Sequence, residues 1–301
     1  MVGIKAAHFD RITLVGIGLI GSSVAHMVRQ KGLAGHIAVT SRSQESLDTA
    51  CRLGIADSVT LDQCEAVTGA DLVMICSPVS TYGAIIETIA PGLKAGAIVT
   101  DVGSVKSAVV RNIAPHIPDG VHLVPAHPVA GTEHSGPEAG FATLFEGRWC
   151  VITPTKNTDQ AAVDKVAALW RAAGSDVEFM DPDHHDQVMA MTSHLPHLIA
   201  YTIVGTATDL EKSLMNEVIK YSAGGFRDFT RIAASDPTMW RDVFLNNKEA
   251  VLEMLQRFNE DLTALQRAIR WDEADELFNF FTKTRDIRRG VIDAKQEKLY
   301  D

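Results

Sequence analysis

Residues 11–24 read RITLVGIGLIGSSV, and the order of residue types in this stretch decides the fold. Arg11–Val15 is a β-branched run of strand character, Gly16, Gly18 and Gly21 follow at the spacing GxGxxG, and a helical pattern opens over Ile20–Gln30. A lone glycine triplet marks little more than a turn. Set between a strand and a helix, it meets a particular physical need. The first glycine permits the tight turn, the second lets backbone approach a pyrophosphate, and the third lets the helix pack on the strand. The free N–H groups and partial positive charge at the helix start suit an anion. Gly16, Gly18, Leu19, Ile20 and Gly21 are therefore expected to hold a dinucleotide. An acid on the ribose is expected about 20 residues further on, at the end of the second strand. The chain there reads Thr40-Ser41-Arg42-Ser43, with no acid. Hydroxyls and an arginine suit a 2′-phosphate better than a 2′-hydroxyl, so Ser41, Arg42 and Ser43 predict NADP ahead of NAD.

Around this loop the first half alternates short β-branched runs (Ile37–Thr40, Leu72–Cys76, Ala97–Asp101, His122–Ala126) with amphipathic stretches. Strands separated by helical patterns imply right-handed βαβ units and a parallel sheet. Trp149–Thr153 and Val177–Met180 read as two further strands, with Asp159–Ala173 as the helix between them. From Pro182 onward the spacing is helical, and Val251, Leu255, Phe258, Leu262, Leu265 and Ile269 recur at three- and four-residue steps. The expectation is an α/β fold: a Rossmann-type domain with an extension over 1–181, then an all-α domain over 182–301 for substrate and dimerisation.

Composition narrows the class. The 301 residues are 46% hydrophobic and 22% charged, the balance of a soluble globular chain. Lys and Arg number 28 against 38 acids, a net charge of -10, which speaks against a general binder of nucleic acid or membrane surfaces. An anionic substrate must then meet a local group of arginines. Cys51, Cys64, Cys76 and Cys150 lie far apart with no CxxC pair, which predicts free thiols rather than a disulfide framework or a zinc knuckle. MVGIKAAHFD has no apolar core of a signal peptide, and no run approaches the ~20 apolar residues of a membrane span. A cytoplasmic protein is expected.

Ligands of a doubly wound sheet bind beyond the carboxyl ends of its strands. Ser77-Pro78, then DVGSVK (101–106), then His127-Pro128 fall there. Ser77 and Pro78 suit a wall beside the nucleotide, or an ordinary turn. Ser104 can cap the next helix or offer its hydroxyl to a substrate. His127, followed by small residues in AHPVAGTEHSG, has room to accept a proton from a substrate hydroxyl as hydride leaves the same carbon, although the motif standing alone reads first as a histidine satisfied in a loop. In HHDQVMAMTSHLPH, His194 and His197 stand one helical turn apart, with Pro196 between them. Apart from Asp186 no carboxylate stands near them at ligand spacing, no HExxH-type pattern is present, and no metal is expected. Arg227 and Arg231 form an i,i+4 pair in SAGGFRDFTR (222–231), suited to a carboxylate, although Asp228 and Asp242 offer ion pairs within the protein.

GIGLIG, DVGSVK, AHPVAGTEHSG, HHDQVMAMTSHLPH and GGFRDFTRIAASDPTMWRD, in this order, resemble the prephenate/arogenate (cyclohexadienyl) dehydrogenases of tyrosine biosynthesis over nearly the whole chain. The resemblance implies oxidative decarboxylation of prephenate or arogenate, with hydride transfer to NAD(P), by a homodimer joined through its C-terminal helices. It implies His127 as the catalytic histidine on the ring 4-hydroxyl, assisted by Ser104, and Arg231 as the carboxylate receptor. His194, His197 and Trp240 would stand around the substrate and subunit contact, with Thr132 and Glu133 in the loop after the base. The missing ribose acid departs from many members of that family. Two other readings stay open: a β-hydroxyacid dehydrogenase or imine reductase, and a catalytically silent NAD(P)-binding regulatory protein.

Overall fold

In the computed structural model of the chain, which describes residues 8–208, 217, 220 and 224–293, the glycine loop leaves the centre of a sheet. Strands β1 (Phe9–Val15), β2 (Ala34–Thr40), β3 (Ser58–Thr60), β4 (Leu72–Ile75), β5 (Ile98–Asp101) and β6 (His122–Val124) lie in the order β3-β2-β1-β4-β5-β6. Every pair is parallel. Helices α1 (Leu19–Lys31), α2 (Gln44–Arg52), α3 (Gln63–Val67), α4 (Tyr82–Ile89) and α5 (Lys106–Ile113) make the crossovers. β4, LVMI, is buried at all four positions, as a parallel strand covered on both faces must be. Leu14, Met74, Ile98, Val24 and Met27 pack on one face, and Val15, Val73, Ile75, Ile86 and Val109 on the other. The order reverses between β1 and β4, and that reversal opens the crevice for a ligand.

The run His122–Ala126, expected as one strand, is broken. Pro125 has no N–H to give to a ladder. Beyond it the chain turns into β7 (Ala126–Pro128), which leaves the large sheet and pairs antiparallel with β8 (Trp149–Ile152). β8 pairs in parallel with β9 (Asp176–Phe179) across α6 (Gln160–Ala172). The two later strands thus build a second, three-stranded sheet rather than extend the first. His127 lies inside a strand of it, not past a strand end.

Next come α7 (Pro182–Met189), a π turn (Ala190–His194) and α8 (Leu195–Thr208), then α9 (Gly224–Thr230) and α10 (Pro237–Asn246). The chain packs as two units that divide between Lys248 and Glu249, so the change of character at Pro182 falls inside the first. The second holds most of α11 (Lys248–Arg270) and all of α12 (Ala274–Asp293). In the single chain Leu252, Leu262, Ile269, Phe278 and Phe281 stand open on these helices. Among the described residues no helix is long and apolar enough to cross a membrane. All four cysteines are free; Cys150 is buried, whereas Cys51 is exposed on α2.

Candidate active site

The glycine loop is pinned by the protein's own hydrogen bonds. Gly16 donates its N–H to the Thr40 carbonyl, Cys76 donates to Val15, and the Ser77 hydroxyl donates to the Val15 carbonyl at 3.1 Å. Gly16 has φ +102, and a Cβ there would stand 2.7 Å from Ser77 Oγ. A Cβ on Gly21 would meet the Gly16 carbonyl oxygen at 2.4 Å, so helix and turn touch through their backbones. Gly18 is the opposite case: a Cβ would find nothing within 4 Å, and α1 starts there with no side-chain cap and no acid in its first turn. Open room against uncapped N–H groups is a cradle that fits a pyrophosphate. Leu19 and Ile20 pack against the core beneath it.

Beyond β2, Ser43 caps α2 by accepting the Ser46 N–H at 3.3 Å, and Ser41 Oγ accepts the Ser43 N–H at 3.3 Å. Arg42 is exposed. Pro78 is half-buried and opens the turn that leads to α4.

His127 is buried on β7, with Nδ1 2.8 Å from Nε2 of His185 on α7. His185 Nδ1 lies 2.8 Å from Asp186 Oδ1. An ionised carboxylate only accepts, so Nδ1 of His185 carries the proton and its Nε2 a lone pair. Nδ1 of His127 must then donate, which leaves the lone pair of His127 on Nε2. Burial, with His185, Lys106 and His194 adding to it, pushes His127 well below the ordinary histidine value. Burial alone would raise Asp186, but the hydrogen bonds from His185 and from the Lys106 and Ser107 amides outweigh it and hold the carboxyl low.

Those amides correct one expectation. The N-cap of α5 is Val105, with no side-chain bond, and Ser104 does not cap it. Asp186 caps the helix from another element, accepting the N–H of Lys106 at 2.7 Å and of Ser107 at 2.9 Å. Ser104 is half-buried, and its hydroxyl makes no hydrogen bond among the described residues. Lys106 is wholly buried, with Nζ 2.5 Å from Asp101 Oδ2 and 2.7 Å from the Ala126 carbonyl. Asp101 in turn accepts the Ala126 N–H at 3.2 Å, so both main-chain groups of the residue before His127 are tied. His185 and Asp186 were absent from the expected site. Their signal was the HHD triplet at 184–186, which had no visible partner in the sequence.

The π turn shifts the helix register just before Pro196, whose ring supplies no N–H. It leaves His194 buried and His197 half-buried, and both rings meet Trp240 of α10: His197 stacks at 3.6 Å and His194 stands edge-on at 6.0 Å. The His197 Nδ1–H donates to the Ser193 carbonyl at 2.8 Å. Burial lowers the pKa of His197, the Ser193 carbonyl opposes this, and Arg231 lowers it further. Arg231 Nη1 lies 3.7 Å from Glu133 Oε2. Thr132 in the same exposed loop accepts the His134 N–H at 3.2 Å. Arg227 is exposed and paired with its neighbour Asp228. Arg241 pairs likewise with Asp242, which also accepts the Ser80 hydroxyl and so ties α10 to the turn after Pro78. Ser222 and Ala223 of the arginine motif lie outside the described residues. No group of side chains able to hold a metal ion occurs among the described residues.

Two family models match the chain: "Prephenate dehydrogenase, nucleotide-binding domain" over residues 24–179, and "Prephenate dehydrogenase, dimerization domain" over residues 181–283. A cyclohexadienyl dehydrogenase of Zymomonas mobilis is 40% identical over 94% of this chain and 96% of its own length. A crystal structure of Aquifex aeolicus prephenate dehydrogenase, in complex with hydroxyphenyl propionate and NAD+, superposes with TM-score 0.88 at 36% identity, covering 95% of this chain and 100% of that one. The Synechocystis arogenate dehydrogenase structure superposes with TM-score 0.78 at 26% identity, covering 93% of this chain and 99% of that one.

Proposed function

The chain belongs to the prephenate dehydrogenase family and is an NAD(P)-dependent oxidoreductase that oxidatively decarboxylates prephenate, L-arogenate or both; we propose that His127 is its catalytic base. The observation that carries this assignment is the chain Asp186–His185–His127, which leaves a buried, neutral imidazole with its lone pair on Nε2. His127 accepts the proton of the ring 4-hydroxyl as C4 gives up hydride, and the ring carboxylate departs as carbon dioxide when the ring becomes aromatic. The bound nicotinamide supplies the hydride acceptor. Aromatisation provides much of the driving force, so the protein mainly positions its ligands. Ser104 offers its hydroxyl beside the base, and Arg231 receives a substrate carboxylate once Glu133 releases it. His194, His197, Trp240 and Thr132 line the substrate, with Arg227 at its edge. The dinucleotide rests on Gly16–Gly21 and against Ser77 and Pro78. Residues 1–181 hold the nucleotide and bring the base and its loop to the substrate, and 182–301 complete the substrate site and form the dimer.

Two finer readings accompany this one. Arg42, exposed beside the end of β2 where no acid stands, supports NADP over NAD. The open apolar side chains of α11 and α12 support a homodimer through the C-terminal helices, since covering each large one contributes about 1.5–3 kcal/mol. The deciding assay is nucleotide reduction by the purified protein with prephenate and with L-arogenate, each with NADP and with NAD. Reduction with either acid is expected, faster with NADP. Silence in all four mixtures, with nucleotide still bound, would reject the reaction. An Arg42→Asp variant with an unaltered NADP-to-NAD preference would reject the nucleotide reading.

A further inference from the structure

Asn247, buried at the end of α10, places its Nδ2 2.8 Å from the Asp186 carbonyl oxygen and 3.1 Å from His194 Nδ1. A main-chain carbonyl can only accept, so the amide must turn its nitrogen toward Asp186. The reversed amide would set oxygen against oxygen. With the nitrogen fixed there, its second hydrogen is directed to His194 Nδ1, which must carry a lone pair. The proton of a neutral His194 therefore sits on Nε2. That Nε2 is buried and has no hydrogen-bond partner among the described residues. Its neighbours carry the other form: His197 and His127 both donate through Nδ1, to Ser193 and His185, and keep Nε2 as an acceptor. SHLPH makes His194 and His197 look alike, yet the fold gives them opposite tautomers. A buried donor without a partner is rare in a native protein and points to one supplied from outside.

We propose that Asn247 is a positioning residue that holds His194 as the Nε2–H tautomer, and that this N–H donates to an acceptor oxygen of the bound substrate beside His127. The identity of that substrate rests on the function proposed above, whereas the tautomer rests on geometry alone. A neutral donor recognises an acceptor without bringing a second acid to the base. It also ties substrate recognition to the relay, because the same amide nitrogen holds the carbonyl of Asp186.

The first test uses the wild-type full chain labelled with 15N-histidine. Two-bond 1H–15N correlations at pH 7.5, assigned with the help of the His194→Gln variant, are expected to show His194 protonated at Nε2 and unprotonated at Nδ1. An Nδ1–H form, or an exchanging mixture, would overturn the proposal. The second test is kinetic. Asn247→Leu is expected to raise KM for the cyclohexadienyl acid roughly tenfold, the scale of one hydrogen bond, and to change kcat less. In the His194→Gln background the glutamine amide donates whatever stands at 247, so adding Asn247→Leu should move KM by no more than about twofold. An equal penalty in both backgrounds would mean that Asn247 only packs, and would overturn the proposal. Should Asn247→Leu fail to fold, the wild-type spectrum decides. Absence of turnover by the wild type would strike the proposed function and leave the tautomer still readable.

Discussion

A neutral imidazole has one lone pair, and in His127 the bond to His185 sets it on Nε2. Removing Nε2 while keeping a side-chain N–H for His185 isolates that contribution: His127→Asn is expected to lower kcat by roughly 10²–10⁴-fold, the usual scale for a lost general base. Nucleotide affinity, measured by fluorescence titration, should scarcely change, and normal turnover would refute the assignment. Because the pKa of His127 lies well below the ordinary value, its imidazole is already deprotonated at neutral pH. As a candidate base, with a histidine satisfied in a loop as the rival reading, His127 was legible in the sequence. Its partner was not, because His185 lies 58 positions away and only folding brings the two rings together. Arg227 shares its i,i+4 spacing with Arg231, and in the fold its guanidinium pairs with Asp228, one of the two acids the sequence offered.

The glycine loop is the element whose parts respond differently to the same substitution. Gly18→Ala meets open space and should leave urea stability near wild type while weakening the nucleotide at least about tenfold. Gly21→Ala drives a methyl into the Gly16 carbonyl and should destabilise the fold itself, by about 1–3 kcal/mol in the same titration. Equal stability losses for both would contradict the cradle. This element was readable from sequence because everything that defines it lies within a few residues. The break at Pro125 was not read, although proline is visible, because β7 exists only through pairing with β8, more than twenty residues on. The cap of α5 failed as a reading for a related reason. Ser104 offered a local hydroxyl, but the carboxylate of Asp186, brought in by α7, makes two charge-assisted bonds to the same amides.

For the molecule as a whole, several histidines are buried in neutral form. The folded pKa values of His127 and His185 lie below the ordinary 6.5, and that of His194 falls to about 4, burial being the largest cause in each. The unfolded chain therefore binds more protons below pH 6.5, and stability is full above that value and declines as the pH falls beneath it. Each such group contributes a slope of up to about 1.4 kcal/mol per pH unit. Urea midpoints at pH 7.5 and 5.5 should show a clear loss at the lower pH, and a flat profile would mean that these rings fold already charged. The long helices carry a different message. Leu262, Ile269, Phe278 and Phe281 face outward in one chain. If a second copy covers them, folding and association become one equilibrium, and mass action enters the melting temperature. Tm should then climb with protein concentration and sag on dilution. A Tm that ignores a hundredfold dilution would mean that each chain holds its fold unaided.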